Sequence, residues 1–215
     1  MSKEYHKIET PFERDTEGTK KLIIGKFRNP AVEFLKDAQW VWTEKIDGTN
    51  VRVIWDGHKV TFKGRTEASS MPVDLFNKLQ ELFGGPVNEE LFEQMFGEKE
   101  VVLYGEGYGN KIQKSGKAYL EDSVNFIMFD IRIGDRYLDR SAVPGIAAAF
   151  NVESVPISLV GTIDDAINYV RNRPTSLVAV DKTFVIEGVV GTPKVPLLDS
   201  SGGRIITKVK VCDFV

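Results

Sequence analysis

The 215 residues carry 28 Lys and Arg against 31 Asp and Glu, a net charge of −3, with 42% hydrophobic residues and one cysteine. That is enough chain for a substantial core. It excludes a disulfide framework and a multi-cysteine zinc site, and neither a signal peptide nor a membrane-length apolar run is visible. The expectation is one soluble domain over residues 1–215, cytoplasmic (in the host cytoplasm if phage-encoded), with a polar, irregular segment over residues 1–20. The charge is uneven. Residues 66–110 hold nine acids and two bases, net −7, which leaves +4 on the remainder. A basic face for a polyanion stays open beside the plainer reading of a solvated acidic region.

In chain order, KLIIG reads as a short strand, and QWVWTEK, 39–45, alternates bulky and polar groups as a strand should. NVRVIW, 50–55, and KVTFK, 59–63, alternate too, and Asp56-Gly57-His58 between them is a hairpin signal. PVDLFNKLQELF, 72–83, sets Val73, Phe76, Leu79, Leu82 and Phe83 on one helical face, with Gly84-Gly85-Pro86 as its stop. NEELFEQMF, 88–96, reads as a second helix begun by an Asn cap. Strands follow at 101–106 and 124–133, helices at 141–150 and 162–172 (the latter with a Thr cap), and strands at 184–190 and 204–211. Strict strand–helix alternation is absent, which predicts an α+β fold rather than a doubly wound parallel sheet.

Chemistry concentrates in a few segments. In EKIDGTN, 44–50, Lys45 ends a strand beside the Asp47-Gly48 turn. A lysine there can be a phosphate ligand or a covalent nucleophile; the four-residue pattern alone is also what a solvated lysine at an ordinary turn gives. Arg65 follows in GRT, and Glu106 lies among the glycines of YGEGYG, which permit close backbone approach. Phe129 directly precedes Asp130 in FIMFDI. Glu187 interrupts the apolar VIEGVV, where a buried carboxylate calls for a cation or metal. Lys208 and Lys210, two apart, share one strand face and call for an anion. Each has a dull alternative, such as edge-strand charges or a packed phenylalanine.

The ordered set EKIDGTN, GRT, YGEGYG with NKIQKSG, FIMFDI, IEGVV and ITKVKV resembles the covalent nucleotidyltransferases, and among them the RNA ligases of the RNA ligase 2 type, over residues 40–211. The resemblance implies an antiparallel, ATP-grasp-like nucleotidyltransferase (adenylation) domain. Asp47 departs from the His frequent in RNA-ligase-2-like proteins and blurs the boundary with DNA ligases. The sequence stops four residues after Val211, so no C-terminal oligonucleotide-binding (OB) domain is expected.

The resemblance implies ATP with Mg²⁺ or Mn²⁺, and ends of RNA, or a nicked duplex, as substrate. Lys45 would attack the α-phosphorus to give lysyl-AMP, AMP would pass to a 5′-phosphate, and a 3′-hydroxyl would then displace it. A free lysine, with a pKa of ~10.4, needs that value lowered to attack; burial, Lys208, Lys210 and the metal push that way and stabilise the transferring phosphate. Arg65 would contact phosphate or ribose, Glu106 the ribose, Phe129 the adenine ring, and Glu44 the adenine amine, with Ile46 beside the nucleotide. Glu187 and Asp130 would serve the metal. Thr49 and Asn50 would meet the RNA end, and Lys111, Lys114 and Lys117 would grip backbone phosphates, a solvated basic loop being the alternative. Cys212 is expected to be packed, and His6 and His58 to be surface or turn residues. A minimal DNA nick ligase, a binding module without chemistry and AMP transfer to a protein or small molecule stand as alternatives, with a monomer expected and no membrane partner.

Overall fold

The structure, a computed structural model, describes residues 4–214. In chain order the elements are β1 (Phe12–Arg14), β2 (Leu22–Phe27), α1 (Pro30–Phe34), β3 (Trp40–Lys45), β4 (Thr49–Trp55), β5 (Val60–Lys63), α2 (Val73–Phe83), α3 (Pro86–Phe96), β6 (Val101–Gly109), α4 (Gly116–Tyr119) and β7 (Val124–Ile133). There follow β8 (Arg136–Tyr137), α5 (Val143–Ala149), β9 (Glu153–Ser154), β10 (Ile157–Gly161), α6 (Ile163–Arg171), β11 (Gly188–Pro193), β12 (Thr207–Lys210) and α7 (Val211–Phe214). No helix among the described residues is long and apolar enough to cross a membrane.

The chain forms two compact units. One takes residues 4–5, residues 47–155 and residues 179–181; the other takes residues 6–46, residues 156–178 and residues 182–214. In the first, a sheet of order β5-β4-β6-β7-β8, with β9 added parallel to β7, is otherwise antiparallel. Its core joins Val51, Val53 and Trp55 of β4 to Leu75, Leu79 and Phe83 of α2, Phe92 of α3 and Phe150 after α5. In the second, the antiparallel order is β10-β3-β11-β12, with α6 packing Ile163, Ala166, Ile167 and Val170 into a core with Trp40, Trp42, Val189 and Val209. A reciprocal capping box between Thr162 and Asp165 starts α6 and meets two otherwise orphaned backbone donors.

Several expectations shift. Helix α2 buries Leu75, Leu79 and Phe83, spaced four apart, whereas Val73 and Phe76 are exposed, so its inward face is rotated from the expected one. Helix α3 starts at Pro86 rather than at an Asn88 cap, because proline suits a first turn whose N–H is unpaired anyway; Asn88 instead donates to the Gly84 carbonyl at 2.8 Å. The N-terminal stretch is not wholly irregular, since Phe12–Arg14 pairs with β2. Lys45 does not enter a hairpin: β3 pairs with β10 and β11, and β4 with β5 and β6, so residues 46–48 pass from one sheet to another. Strand β12 is shorter than 204–211, with Val211 opening a helical turn, and Cys212 on that turn is exposed rather than packed because Val211 takes the inward position.

Candidate active site

In the second unit the register sets Lys45 of β3 and Lys210 of β12 on either side of Gly188 in β11, and pairs Lys208 with Val190. With the two-residue side-chain period, Lys208 and Lys210 share a face, while Val209, Val189 and Trp42 turn to the core. Glu187 lies immediately before β11 rather than in mid-strand. Its Oε2 accepts from Lys45 Nζ at 2.5 Å and its Oε1 from Lys210 Nζ at 2.7 Å. Gly188 is needed here: a Cβ would lie 2.2 Å from the Val209 carbonyl oxygen, so a side chain would push β12 and its lysines away.

The charges are mutually adjusted. Burial works to raise the Glu187 pKa, but the Lys45 and Lys210 ammonium groups outweigh it and hold the carboxyl below its ordinary value. Lys208 is pushed down by burial and then by the positive charges of Lys45 and Lys210. Burial opposes the charge on Lys210 as well, but its hydrogen bond and attraction to Glu187 leave its pKa raised. Three lysines therefore gather around Glu187; Glu9 also attracts Lys208 and Asp213 attracts Lys210, but those carboxylates are paired with Arg28 and Arg14, and the lysine-rich arrangement suits a phosphate.

Glu44 falls on the opposite face from Lys45, as adjacent strand residues must. It is 2% exposed and accepts from the Ser176 hydroxyl at 2.5 Å and the Leu177 N–H at 2.9 Å. Burial raises its pKa against those two bonds. Both oxygens are engaged in closing a loop, so the expected adenine contact through this carboxylate does not fit. Ile46 is buried.

In the first unit, Thr49 and Asn50 open β4, and Asn50 stands opposite Glu106 of β6. Gly48 allows that approach: a Cβ there would meet the Gly107 carbonyl oxygen at 2.3 Å and Glu106 Cγ at 2.8 Å. Arg65 is exposed on the turn after β5. That turn is held from below by Arg52, 0% exposed, whose Nε donates to the Gly64 carbonyl at 2.9 Å and whose Nη2 meets Glu67 at 3.2 Å. The alternation of NVRVIW puts Arg52 on the face opposite Val51, Val53 and Trp55, where nothing in the sequence marks it as buried.

Phe129 has no partner in the β6–β7 register, which pairs Met128 with Gly105 and Asp130 with Tyr104. It is the extra residue of a β-bulge, a device that re-aims one side chain. The bulge changes the alternation, so Phe126, Met128 and Ile131 reach the helix-covered core while Asp130 takes the other face. Asp130 is 0% exposed, accepts from the Tyr5 hydroxyl at 2.8 Å and from the Ile131 N–H at 3.1 Å, and so does not fit its expected metal role. Tyr5 also sets its ring edge-on to Phe129 at 5.0 Å. Lys111, Lys114 and Lys117 are exposed. Among the described residues no group of three or more His, Cys, Asp or Glu is placed to hold a metal. Glu187 alone still fits Mg²⁺ or Mn²⁺, because such ions take one or two carboxylates together with substrate phosphates.

A profile of the RNA ligase family matches residues 38–210. No curated protein sequence matches the chain. Among solved structures, an apo variant of a Naegleria gruberi RNA ligase is similar with a TM-score of 0.61 at 20% identity, over 84% of this chain and 52% of that one. A variant of the same ligase with ATP and Mn gives 0.60 at 19%, over 84% and 51%. The ligase with pyrophosphate gives 0.60 at 20%, over 96% and 61%. At such identities the likeness is one of fold, and it bears out the antiparallel α+β nucleotidyltransferase architecture. The chain spans about half the length of the first two.

Proposed function

The chain belongs to the RNA ligase family, and we propose that it is an ATP-dependent ligase joining the 5′-phosphate and 3′-hydroxyl ends of RNA through lysyl-AMP. The Lys45–Glu187–Lys210 arrangement, with Lys208 alongside, carries the reading. Lys45 Nζ, once deprotonated, attacks the α-phosphorus of ATP; an N–P bond forms and pyrophosphate leaves with the electron pair of the broken P–O bond. A 5′-phosphate oxygen then takes the AMP as the N–P bond breaks, and a 3′-hydroxyl attacks that 5′-phosphorus, expelling AMP.

Glu187 holds the Lys45 amine in one orientation, and Lys208 and Lys210 meet the charge that builds on the phosphate oxygens. Glu187 would also hold Mg²⁺ or Mn²⁺, which supplies further neutralisation of phosphate charge when bound. Arg65, Glu106 and Phe129 are the proposed phosphate, ribose and adenine partners, and Thr49 and Asn50 the proposed contacts to the RNA end. The bulge at Phe129 supports its part, since a packed core phenylalanine needs no such irregularity.

The test is incubation with α-labelled ATP and Mg²⁺ or Mn²⁺, followed by a denaturing gel. A label that survives denaturation and disappears in Lys45→Ala supports the first step. An unlabelled wild type whose mass shows no AMP already attached overturns it. Sealing of a nicked RNA duplex, a nicked DNA duplex and single-stranded RNA then identifies the strand the enzyme joins, and sealing of DNA alone overturns the RNA assignment.

A further inference from the structure

The segment Asn110–Lys117 holds three lysines in eight residues and directly follows β6, on a stretch of chain that is otherwise strongly acidic. The side chains of Lys111, Lys114 and Lys117 are exposed, and among the described residues none of the three makes an ion pair. An ordinary solvated loop would be loose. Here the buried Ile112 anchors the centre. Gln113 Nε2 donates to the Gly48 carbonyl at 3.0 Å, and Ser115 Oγ donates to Asp47 Oδ2 at 2.5 Å. Just past the segment, the buried Tyr119 accepts from the Asp47 N–H at 3.2 Å.

The backbone is also held in a costly form. Lys111 and Gln113 have φ of 63° and 57°, in the left-handed region that residues with a Cβ avoid. Such conformations persist where the surroundings over-determine them, and they gather at binding sites because they fix the loop before a ligand arrives. Three amines at intervals of three residues on a rigid frame match a chain of repeating phosphates better than a single anion. The frame is tied to the turn that begins two residues beyond Lys45.

We propose that Asp47 and Ser115 latch this loop as a preorganised grip for the phosphodiester backbone of the strand to be joined. The lysines touch the phosphates; Asp47 and Ser115 are positioning residues that set where the lysines stand. This rests on the ligase reading for its purpose, but its test does not.

The experiment is a titration of a fluorescent 5′-phosphorylated RNA and of the matching DNA at several salt concentrations. Four proteins are compared: wild type, a triple Lys111→Ala, Lys114→Ala, Lys117→Ala variant, Ser115→Ala, and Lys59→Ala as an exposed control on a different turn. Circular dichroism establishes that each is folded. Each phosphate of a single strand that no longer meets a lysine flattens the log–log salt dependence by ~0.7, so the triple variant is expected to drop the slope by roughly 2. Ser115→Ala is expected to weaken binding several-fold at fixed salt. Lys59→Ala is expected to match wild type.

Weaker binding of RNA and DNA alike, or of RNA alone, supports the grip and identifies the strand it takes. A triple variant with unchanged slope on both overturns it, and Ser115→Ala with unchanged affinity overturns the latch. Self-labelling of wild type is scored separately. Its failure would remove the ligase reading while leaving the binding result intact.

Discussion

Arg52 in the first unit and Glu187 in the second are both charges taken out of bulk water, and they are balanced in different ways. Arg52 ends on the Gly64 carbonyl and Glu67, and its neighbour in fold, Asp130, ends on Tyr5 and its own strand. These charges close on fixed protein partners and define architecture. Glu187 instead serves Lys45 and Lys210 together, with Lys208 as a third cation nearby, so the group carries uncompensated positive charge. A cluster in that state gains from an arriving anion, which a closed pair does not. Glu44 makes the same point inside the second unit: it too is a buried carboxylate, but hydroxyl and amide donors satisfy it and no charge is left over.

The sharpest way to break the comparison is Glu187→Ala. It strips the counter-charge from side chains that keep only 25% and 29% of their exposure. Breaking a fully buried pair costs ~3–5 kcal/mol; partial solvation here brings the expected loss to about 2 kcal/mol, read from the urea midpoint. Pyrophosphate should restore part of it in the variant, because the anion replaces the counter-charge that Glu187 gave the lysines. An unchanged midpoint would show that the lysines need no partner. Next in size is Tyr5→Phe. It removes a donor to the buried Asp130, and hydrogen bonds to charged groups are worth about 1.5–3 kcal/mol, so a loss near the lower end is expected. That loss should not change with pyrophosphate; if it does, Tyr5 and Asp130 belong to ligand binding and the contrast fails.

Much of this was legible in the residues. Strand alternation located β3, β4 and β7, the Thr162 cap located α6, and the spacing of Lys208 and Lys210 placed them on one face. What was not legible came from events that local pattern cannot record. The bulge at Phe129 depends on how β6 and β7 register, so Asp130 could not be assigned to its face from spacing alone. Glu44 and Lys45 look like one functional pair in sequence, yet the strand period parts them, and Ser176, which settles Glu44, lies 132 residues away. The tie between Ser115 and Asp47 spans 68 residues and joins two segments that were read separately.

The smallest expected effect tests the surplus-charge idea most directly, because it compares Lys208 and Lys210 on one strand. Lys208 has a lowered pKa, so below that value its proton is held less favourably in the folded state than in the unfolded chain, and the charge destabilises the fold. Between its depressed value and the unfolded value near 10.5, the unfolded chain binds more protons and stability rises with pH. Lys210 has a raised pKa, so its stabilising contribution is complete below 10.5 and is lost as pH climbs through its higher folded value. Lys208→Met, which keeps the aliphatic stem, should therefore raise Tm slightly at pH 7 while abolishing self-labelling, a gain of stability at the expense of function. The gain should shrink as pH approaches 10.5, whereas Lys210→Met should lower Tm at pH 7. Pyrophosphate should also raise the Tm of wild type more than that of Lys208→Met, because an anion beside Lys208 relieves its strain in wild type and has no such charge to meet in the variant. Parallel pH–stability curves for wild type and Lys208→Met would mean that Lys208 is an ordinary solvated cation and that the second unit holds no poised anion site.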